Sequence, residues 1–278
     1  MVITNRDRLL LLKLHSYGML ATNQVKTIVF NDIAVTTVLR RLRILEKEHL
    51  IKRVEGLITS ERLWALTEKG AELADVKLYK RHFAKGLLEH DYKLLSLRLC
   101  LEGHGIAHSW TPEHEIRSKV YKKFGLRDAK NKFIPDGLMG IEVNEKKVSV
   151  AIELELTLKN KTKLKETFRR YQNVSETFAV WYIVPSSMIM NQVHRLWYAS
   201  GGASASIKIF YSYYDDVMKD PLTAKLYSKE KPKNIADYWK TLPAQETAQG
   251  VSIQDEKIIA IKTELTTENH APILEVAC

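Results

Sequence analysis

Apolar residues recur at helical spacing in the first third of the chain and switch to strand spacing in the middle. Residues 5–17 form an amphipathic pattern stopped by Gly18, and residues 22–30 read as a short second helix with Thr22 as its N-cap. A third helix is predicted over about residues 33–49. Val35, Val38, Leu42 and Leu45 have core spacing there, which leaves Thr36, Thr37, Arg40, Arg41, Arg43 and Lys47 largely outside. Residues 50–53, a Gly56 turn and residues 62–66 predict two short strands, and Thr67 is placed to cap a further helix. Residues 77–103 are mostly helical and rich in Leu, with His90 near the start. A histidine in that position is more often a capping or core hydrogen-bonder than a ligand.

Residues 106–117 turn to strand and loop, and the basic stretch 119–132 reads as a loop or hairpin. Strands follow over 133–143 and 148–157. In the second, Val148, Val150, Ile152, Leu154 and Leu156 point one way, while Ser149, Ala151, Glu153, Glu155 and Thr157 point the other. Pairing Val143 with Val148 across Asn-Glu-Lys-Lys sets residue 136 opposite residue 155, so Asp136, Glu153 and Glu155 are expected to share a face. Three convergent carboxylates repel one another unless a cation joins them, and hard oxygen ligands suit Mg²⁺ or Mn²⁺. A helix from about residue 160 to 171 comes next, with Lys161, Lys165 and Arg169 aligned beside a stripe of Leu164, Phe168 and Tyr171. A strand (177–184), a helix (187–199) and a strand (207–211) complete the periodic part, and residues 235–239 are placed to pack on the core. Beyond about residue 240 the pattern fades, and a weakly structured tail is expected.

Composition adds bounds. At 278 residues the chain has room for two domains. It carries a net charge of +10, of which residues 76–135 alone contribute 13 Lys/Arg against 6 Asp/Glu. A localised positive surface favours a polyanion such as DNA. There is no apolar run long enough for a membrane span, and the opening MVITNRDRLLLL lacks the features of a secretory signal. Two cysteines, Cys100 and Cys278, make neither a disulfide framework nor a zinc cluster, so a cytoplasmic setting is expected. No P-loop, Gly-rich nucleotide fingerprint, paired-His motif or internal repeat is present.

Two resemblances follow from these residues. The order over residues 5–76, with LRRLRILEKEHLIKRVEG and RLWALTEKGAELA, resembles a winged helix-turn-helix domain. It implies a third helix in the major groove of double-stranded DNA, with Arg40, Arg41 and their neighbours at base edges and Arg53 and Arg62 at phosphates. Pro135-Asp136, Glu153-Leu154-Glu155 and the basic helix ending Arg170-Tyr171-Gln172 resemble the PD-(D/E)xK nuclease-like superfamily. The two together resemble the plasmid replication-relaxation family, matched at His90, Pro135-Asp136, Glu153-Leu154-Glu155, Thr157 and Tyr171. The fold class this implies is α+β: an N-terminal winged helix-turn-helix domain (1–76), a linking helix (77–104), an α/β PD-(D/E)xK-like domain with a central mixed sheet (105–240), and the tail (241–278). One departure stands out, since Glu155 occupies the place where cleaving relatives usually keep a lysine.

Two functional readings stay open at this point, with a transcriptional repressor as a third. In the first, the protein binds DNA of a mobile element during plasmid relaxation, mobilisation or replication control, without cutting it. In the second it is a metal-dependent endonuclease, with Asp136, Glu153 and Glu155 as Mg²⁺ or Mn²⁺ ligands and Lys165 steadying the developing phosphate charge. Double-stranded DNA is the implied partner, a second copy of the chain or other proteins of a mobile-element complex stay open, and no membrane is involved.

Overall fold

In a computed structural model, residues 2–56, 61–77, 79–80, 82–129, 132–143, 146–157, 160–172, 177–202 and 205–239 are described. Helix α1 (Asn5–Tyr17) starts with a reciprocal cap: the Asp7 N–H donates to Thr4 Oγ1, and the Thr4 N–H donates to the Asp7 carboxylate. It ends at Gly18, whose positive φ of 79° suits a residue with no Cβ. Strand β1 (Met19–Ala21) leads into α2 (Thr22–Val29) and α3 (Val35–Lys47), followed by β2 (Ile51–Val54), β3 (Leu63–Leu66) and α4 (Glu68–Leu73). The strands form an antiparallel sheet in the order β1-β3-β2. Leu10, Leu11, Leu14, Val25, Val38, Leu42, Leu45 and Trp64 fill the core between the helices and this sheet.

Two caps settle differently in detail. Thr67 caps α4 as expected, accepting from Gly70 N at 3.1 Å. Thr22, expected as the N-cap of α2, lies one residue inside the helix. Its hydroxyl donates to Arg62 O and accepts from the buried Trp64 indole at 3.0 Å, tying α2 to β3. Gly70 allows α4 to approach β2, since a Cβ there would sit 2.0 Å from Leu50 O.

A 3-10 turn (Lys85–Leu87) opens α5 (Leu88–Gly103), which serves two cores: Leu88 and Leu95 join the first, and Leu97 and Leu101 pack under a second sheet. Then come β4 (Ser109–Pro112), α6 (Glu113–Ala129), β5 (Gly137–Val143), β6 (Lys146–Leu154), α7 (Lys161–Gln172), β7 (Ala179–Val184), α8 (Ser187–Ala199) and β8 (Lys208–Tyr213). The chain closes this unit with α9 (Tyr214–Lys219), the short hairpin β9 (Lys225–Leu226) and β10 (Lys233–Asn234), and α10 (Ile235–Tyr238). The five-stranded sheet has the order β4-β5-β6-β7-β8, antiparallel across its first two pairings and parallel across its last two. The molecule is thus a mixed α+β protein with a central mixed sheet.

Both faces of that sheet are covered. Val150, Ile152, Leu154, Trp181, Ile183 and Phe210 face the layer of α5, α9 and Trp239, whereas Ala151, Val180, Tyr182, Val184 and Tyr211 face α7 and α8. Strand β7 is consequently buried at every position, the continuous apolar run expected of a two-sided parallel strand.

Two expectations are corrected. Residues 113–129 are a helix, interrupted at Gly125 (φ 72°, ψ 170°), not a strand followed by a basic loop. Only Ile116 and Ala129 are buried along it, so it carries almost no apolar stripe for the eye to follow. The β5–β6 hairpin pairs Val143 with Lys146, not with Val148. Lys146 and Lys147 extend the strand, and the register moves by two residues. A two-residue shift preserves side-chain parity, so the face assignment survives. The tail expected beyond residue 240 lies outside the described residues.

Candidate functional site

The outward face of α3 presents Thr36, Thr37, Arg40, Arg43 and Lys47 to solvent, and Arg62 is exposed beside β3. Arg53 on β2 is also exposed, held by Glu46 at 2.9 Å and lying over the Trp64 ring. Arg41 is different. Its Nε donates to Asp7 Oδ1 at 2.8 Å, one of its terminal nitrogens is paired with Asp7 Oδ2, and it also donates to Val2 O. The Asp7 carboxylate is fully buried. Arg41 therefore fixes α3 to the start of α1, and the expectation that it reads a base is corrected. Its spacing on α3 matches the exposed set, but the acid waiting across the helix pair is not visible in periodicity.

The second constellation is built where β5 ends. The last β5–β6 pair is Gly137 with Ile152, so Leu154 has no strand partner on that side. Two side chains take the partner's place. Asp136 Oδ2 accepts the Leu154 N–H at 2.9 Å, and His90 Nε2 lies 3.0 Å from Leu154 O and 3.2 Å from Asp136 Oδ2. A carbonyl only accepts, so His90 Nε2 carries a proton. The other ring nitrogen is 3.8 Å from Asp91, and Asp91 is bonded by Lys80 at 2.6 Å. The result is an alternating series, Lys80–Asp91–His90–Asp136, running from before α5 to the sheet. Burial opposes charge on His90, but the bonds to Asp136 and Asp91 outweigh it and push its pKa up to about 10. Burial likewise works against charge on Asp91, and its pairing with His90 and Lys80 prevails, lowering its pKa.

Glu153 stands one residue before that point and is 5 % exposed. Its Oε1 accepts from Tyr171 Oη at 2.8 Å, so the contribution of α7 to the site is a phenol. Glu153 registers with Tyr182 on β7, and Tyr182 with Tyr211 on β8, giving a polar row across the α7–α8 side of the sheet. Tyr182 is fully buried; burial, then the charges of Glu153 and Glu155, raise its pKa well above normal. Glu155 is 2 % exposed and follows the end of β6, its N–H donating to Ile183 O on β7.

Lys165 does not join these groups. It is exposed, as are Lys161 and Lys163, because Leu164, Phe168 and Tyr171 turn the other side of α7 to the sheet. Its expected role beside the carboxylates is corrected on that ground. Asp136 and Glu153 come to the same end of the sheet, but each carboxylate is already engaged, by Leu154 N with His90 and by Tyr171. Among the described residues, no group of three or more His, Cys, Asp or Glu is arranged to hold a metal ion. As placed, Asp136, Glu153 and Glu155 do not fit the three-carboxylate Mg²⁺ or Mn²⁺ site expected from the alternation. His90 is the residue that periodicity undervalues. Apart from the family resemblance, its position at the start of α5 gives little away, and a partner 46 positions away in sequence gives it its role.

No helix among the described residues is long and apolar enough to cross a membrane. No curated protein matches the chain. A solved structure of the restriction endonuclease FokI aligns with 79 % of this chain and 45 % of its own, at 13 % identity and a TM-score of 0.26, too low to mark a shared fold. The chain thus spans less than half of that protein's length. The family comparison is of another order: residues 11–182, which run from α1 to β7 and include His90, Asp136, Glu153 and Tyr171, match replication-relaxation. That is well over half of the sequence, and the chain belongs to the replication-relaxation family.

Proposed function

We propose that this is a DNA-binding protein of a mobile element, acting in plasmid relaxation, mobilisation or replication control. In this reading residues 1–76 are a winged helix-turn-helix, residues 77–104 link it to the rest, and residues 105–240 are a PD-(D/E)xK nuclease-like domain. The observation that carries the proposal is the outward face of α3, where Thr36, Thr37, Arg40, Arg43 and Lys47 stand exposed on a helix whose opposite side is anchored by Val38, Leu42 and Leu45. A helix held this way offers short polar and guanidinium groups to base edges, and the exposed Arg53 and Arg62 are the groups assigned to phosphates in this reading. The basic excess of residues 76–135 extends the attraction beyond that helix.

Fluorescence anisotropy with duplex DNA tests the reading. Affinity should fall steeply with added salt, because each neutralised phosphate releases counterions. In the double variant Arg40→Ala with Arg43→Ala, each base that is no longer read at a specific site should cost about 1–3 kcal/mol. A double variant that binds as tightly as the parent overturns the α3 assignment. The nuclease reading keeps Asp136 and Glu153 at one sheet end, but Lys165, its expected lysine, stands exposed on the other side of α7; binding without cleavage is preferred.

A further inference from the structure

A cavity of about 70 Å³ lies between the end of α1 and the second sheet, next to Asp136, with Lys80, Arg98, Trp110 and His114 in its walls. The volume holds several water molecules. Arg98 is 7 % exposed and lies 4.1 Å from the Tyr17 ring centroid and 5.8 Å from that of Trp110, while bonding Glu102 and Ser16. Two aromatic rings and three fixed hydrogen bonds make it a rigid positive wall.

The acids in the same cavity are each answered. Asp91 is paired with Lys80 and faces His90, Asp136 is held by Leu154 N and His90, and Glu113 is paired with Arg117. His114 is not answered: its Nε2 is buried and makes no hydrogen bond. Burial, then the positive charges of His15, Lys80 and Arg98, bring its pKa down to about 4. Lys80 and Arg98 stand in the same walls as this ring, beside the carboxylates they already hold. A buried ring nitrogen without a partner costs free energy, and an oxyanion arriving beside it would supply the bond.

We propose that this cavity is a phosphate site, in which Lys80, Arg98 and His114 take one phosphate group of a DNA strand that passes from α3 toward the second sheet. The identity of the donor strand rests on the DNA-binding reading above; the phosphate chemistry of the cavity does not. Binding makes His114 a donor and favours its protonation, so occupancy and the charge of His114 rise together. The charged and titratable groups around the ring are His15 on α1, Lys80 before α5, Asp91 and Arg98 on α5, Glu113 on α6 and Asp136 at the sheet.

The test uses the whole chain and inorganic phosphate as the probe. Histidine ring signals are followed by NMR through a pH titration, with sodium chloride of equal ionic strength as the control. Phosphate should move the His114 midpoint upward from about 4 by about 1–3 pH units, and chloride should not. A second measurement at neutral pH avoids acid unfolding: calorimetry should detect phosphate binding that weakens roughly tenfold in Lys80→Gln and in His114→Ala. Single-stranded oligonucleotides with and without a 5′-phosphate then distinguish the source. Equal His114 responses point to a backbone phosphate, and a response only to the phosphorylated strand to a terminal one. Absence of both the NMR shift and the calorimetric binding overturns the site, even if duplex affinity still depends on Arg40. Duplex affinity indifferent to Arg40 and Arg43, with the phosphate response intact, overturns the α3 reading instead.

Discussion

Arg41 and Asp7 illustrate how a single ion pair can change a residue's meaning. Burial works against charge on Asp7, yet Arg41 and the Thr4 cap prevail and hold its carboxyl below the ordinary 3.8. A depressed carboxyl stabilises the fold at neutral pH, and that contribution drains away as pH falls below 3.8 toward the folded value. Arg41→Ala leaves a buried carboxylate behind and should cost about 1–3 kcal/mol by urea unfolding. The cost is smaller than for a fully buried pair because a quarter of the Arg41 side chain meets solvent. The deficit should shrink on acidification, and a deficit independent of pH would show that packing, not the ion pair, holds α3 in place. His90 carries the opposite sign. Its pKa is raised from 6.5 to about 10, so its contribution is complete below 6.5 and lost as pH rises through about 10. The wild-type melting temperature should therefore fall across that alkaline window more than that of His90→Gln, which still donates to Leu154 O but does not titrate. Parallel curves would mean that His90 is neutral in the folded protein. Neither role is readable locally: α1 and α3 are separated by 34 positions at this pair, and His90 acquires its partners only when β5 stops short of Leu154.

Among the elements, α7 makes the clearest test because its two sides have different tasks. Leu164, Phe168 and Tyr171 have helical spacing and are buried as the stripe predicts, while Lys161 and Lys165 follow a neighbouring row that faces solvent. Lys165→Ala should therefore change stability by no more than about 0.5 kcal/mol. Phe168→Ala should cost about 3–5 kcal/mol, since the ring is fully buried against Tyr182 and Trp197. Tyr171→Phe removes the hydroxyl bonded to buried Glu153 and should cost about 1–3 kcal/mol. Thermal and urea melts of the three variants check the order; a Lys165→Ala loss as large as that of Tyr171→Phe would restore the lysine to the site. The same contrast explains what is legible. Elements with a strong stripe, such as α1, α3, α7 and α8, follow directly from periodicity. Helix α6 buries little and so leaves little pattern, while the β5–β6 register is easily misplaced because polar Lys146 and Lys147 look like loop. Parity alone is enough to put Asp136 and Glu153 on one side of the sheet, but not to tell what each carboxylate bonds.

At the scale of the molecule, α5 joins the two cores, and the Lys80–Asp91–His90–Asp136 series runs along its start into the sheet. Leu88 and Leu95 of the helix that carries His90 thus share a core with Val38, Leu42 and Leu45 of α3. The arrangement of the carboxylates bears on cleavage. On the nuclease-like reading, a phosphodiester approaching Asp136 and Glu153 would meet carboxylates already engaged, with Lys165 on the far side of α7. Positive charge is instead spread over α3 and over α6, where Lys119, Lys122, Lys123 and Arg127 are exposed. On the DNA-binding reading, such a distribution suits many spread contacts to a polyanion rather than one concentrated charge. The expected outcome is that purified protein binds supercoiled, linear and single-stranded DNA, yet leaves all three uncut with Mg²⁺ or Mn²⁺. Glu153→Gln should then bind as the parent does, apart from any loss of folded fraction measured by its melt. Nicking that requires either metal and disappears in Glu153→Gln, while binding persists, would reverse the assignment. It would mean that Tyr171 and His90 release their carboxylates when DNA and the ion arrive together.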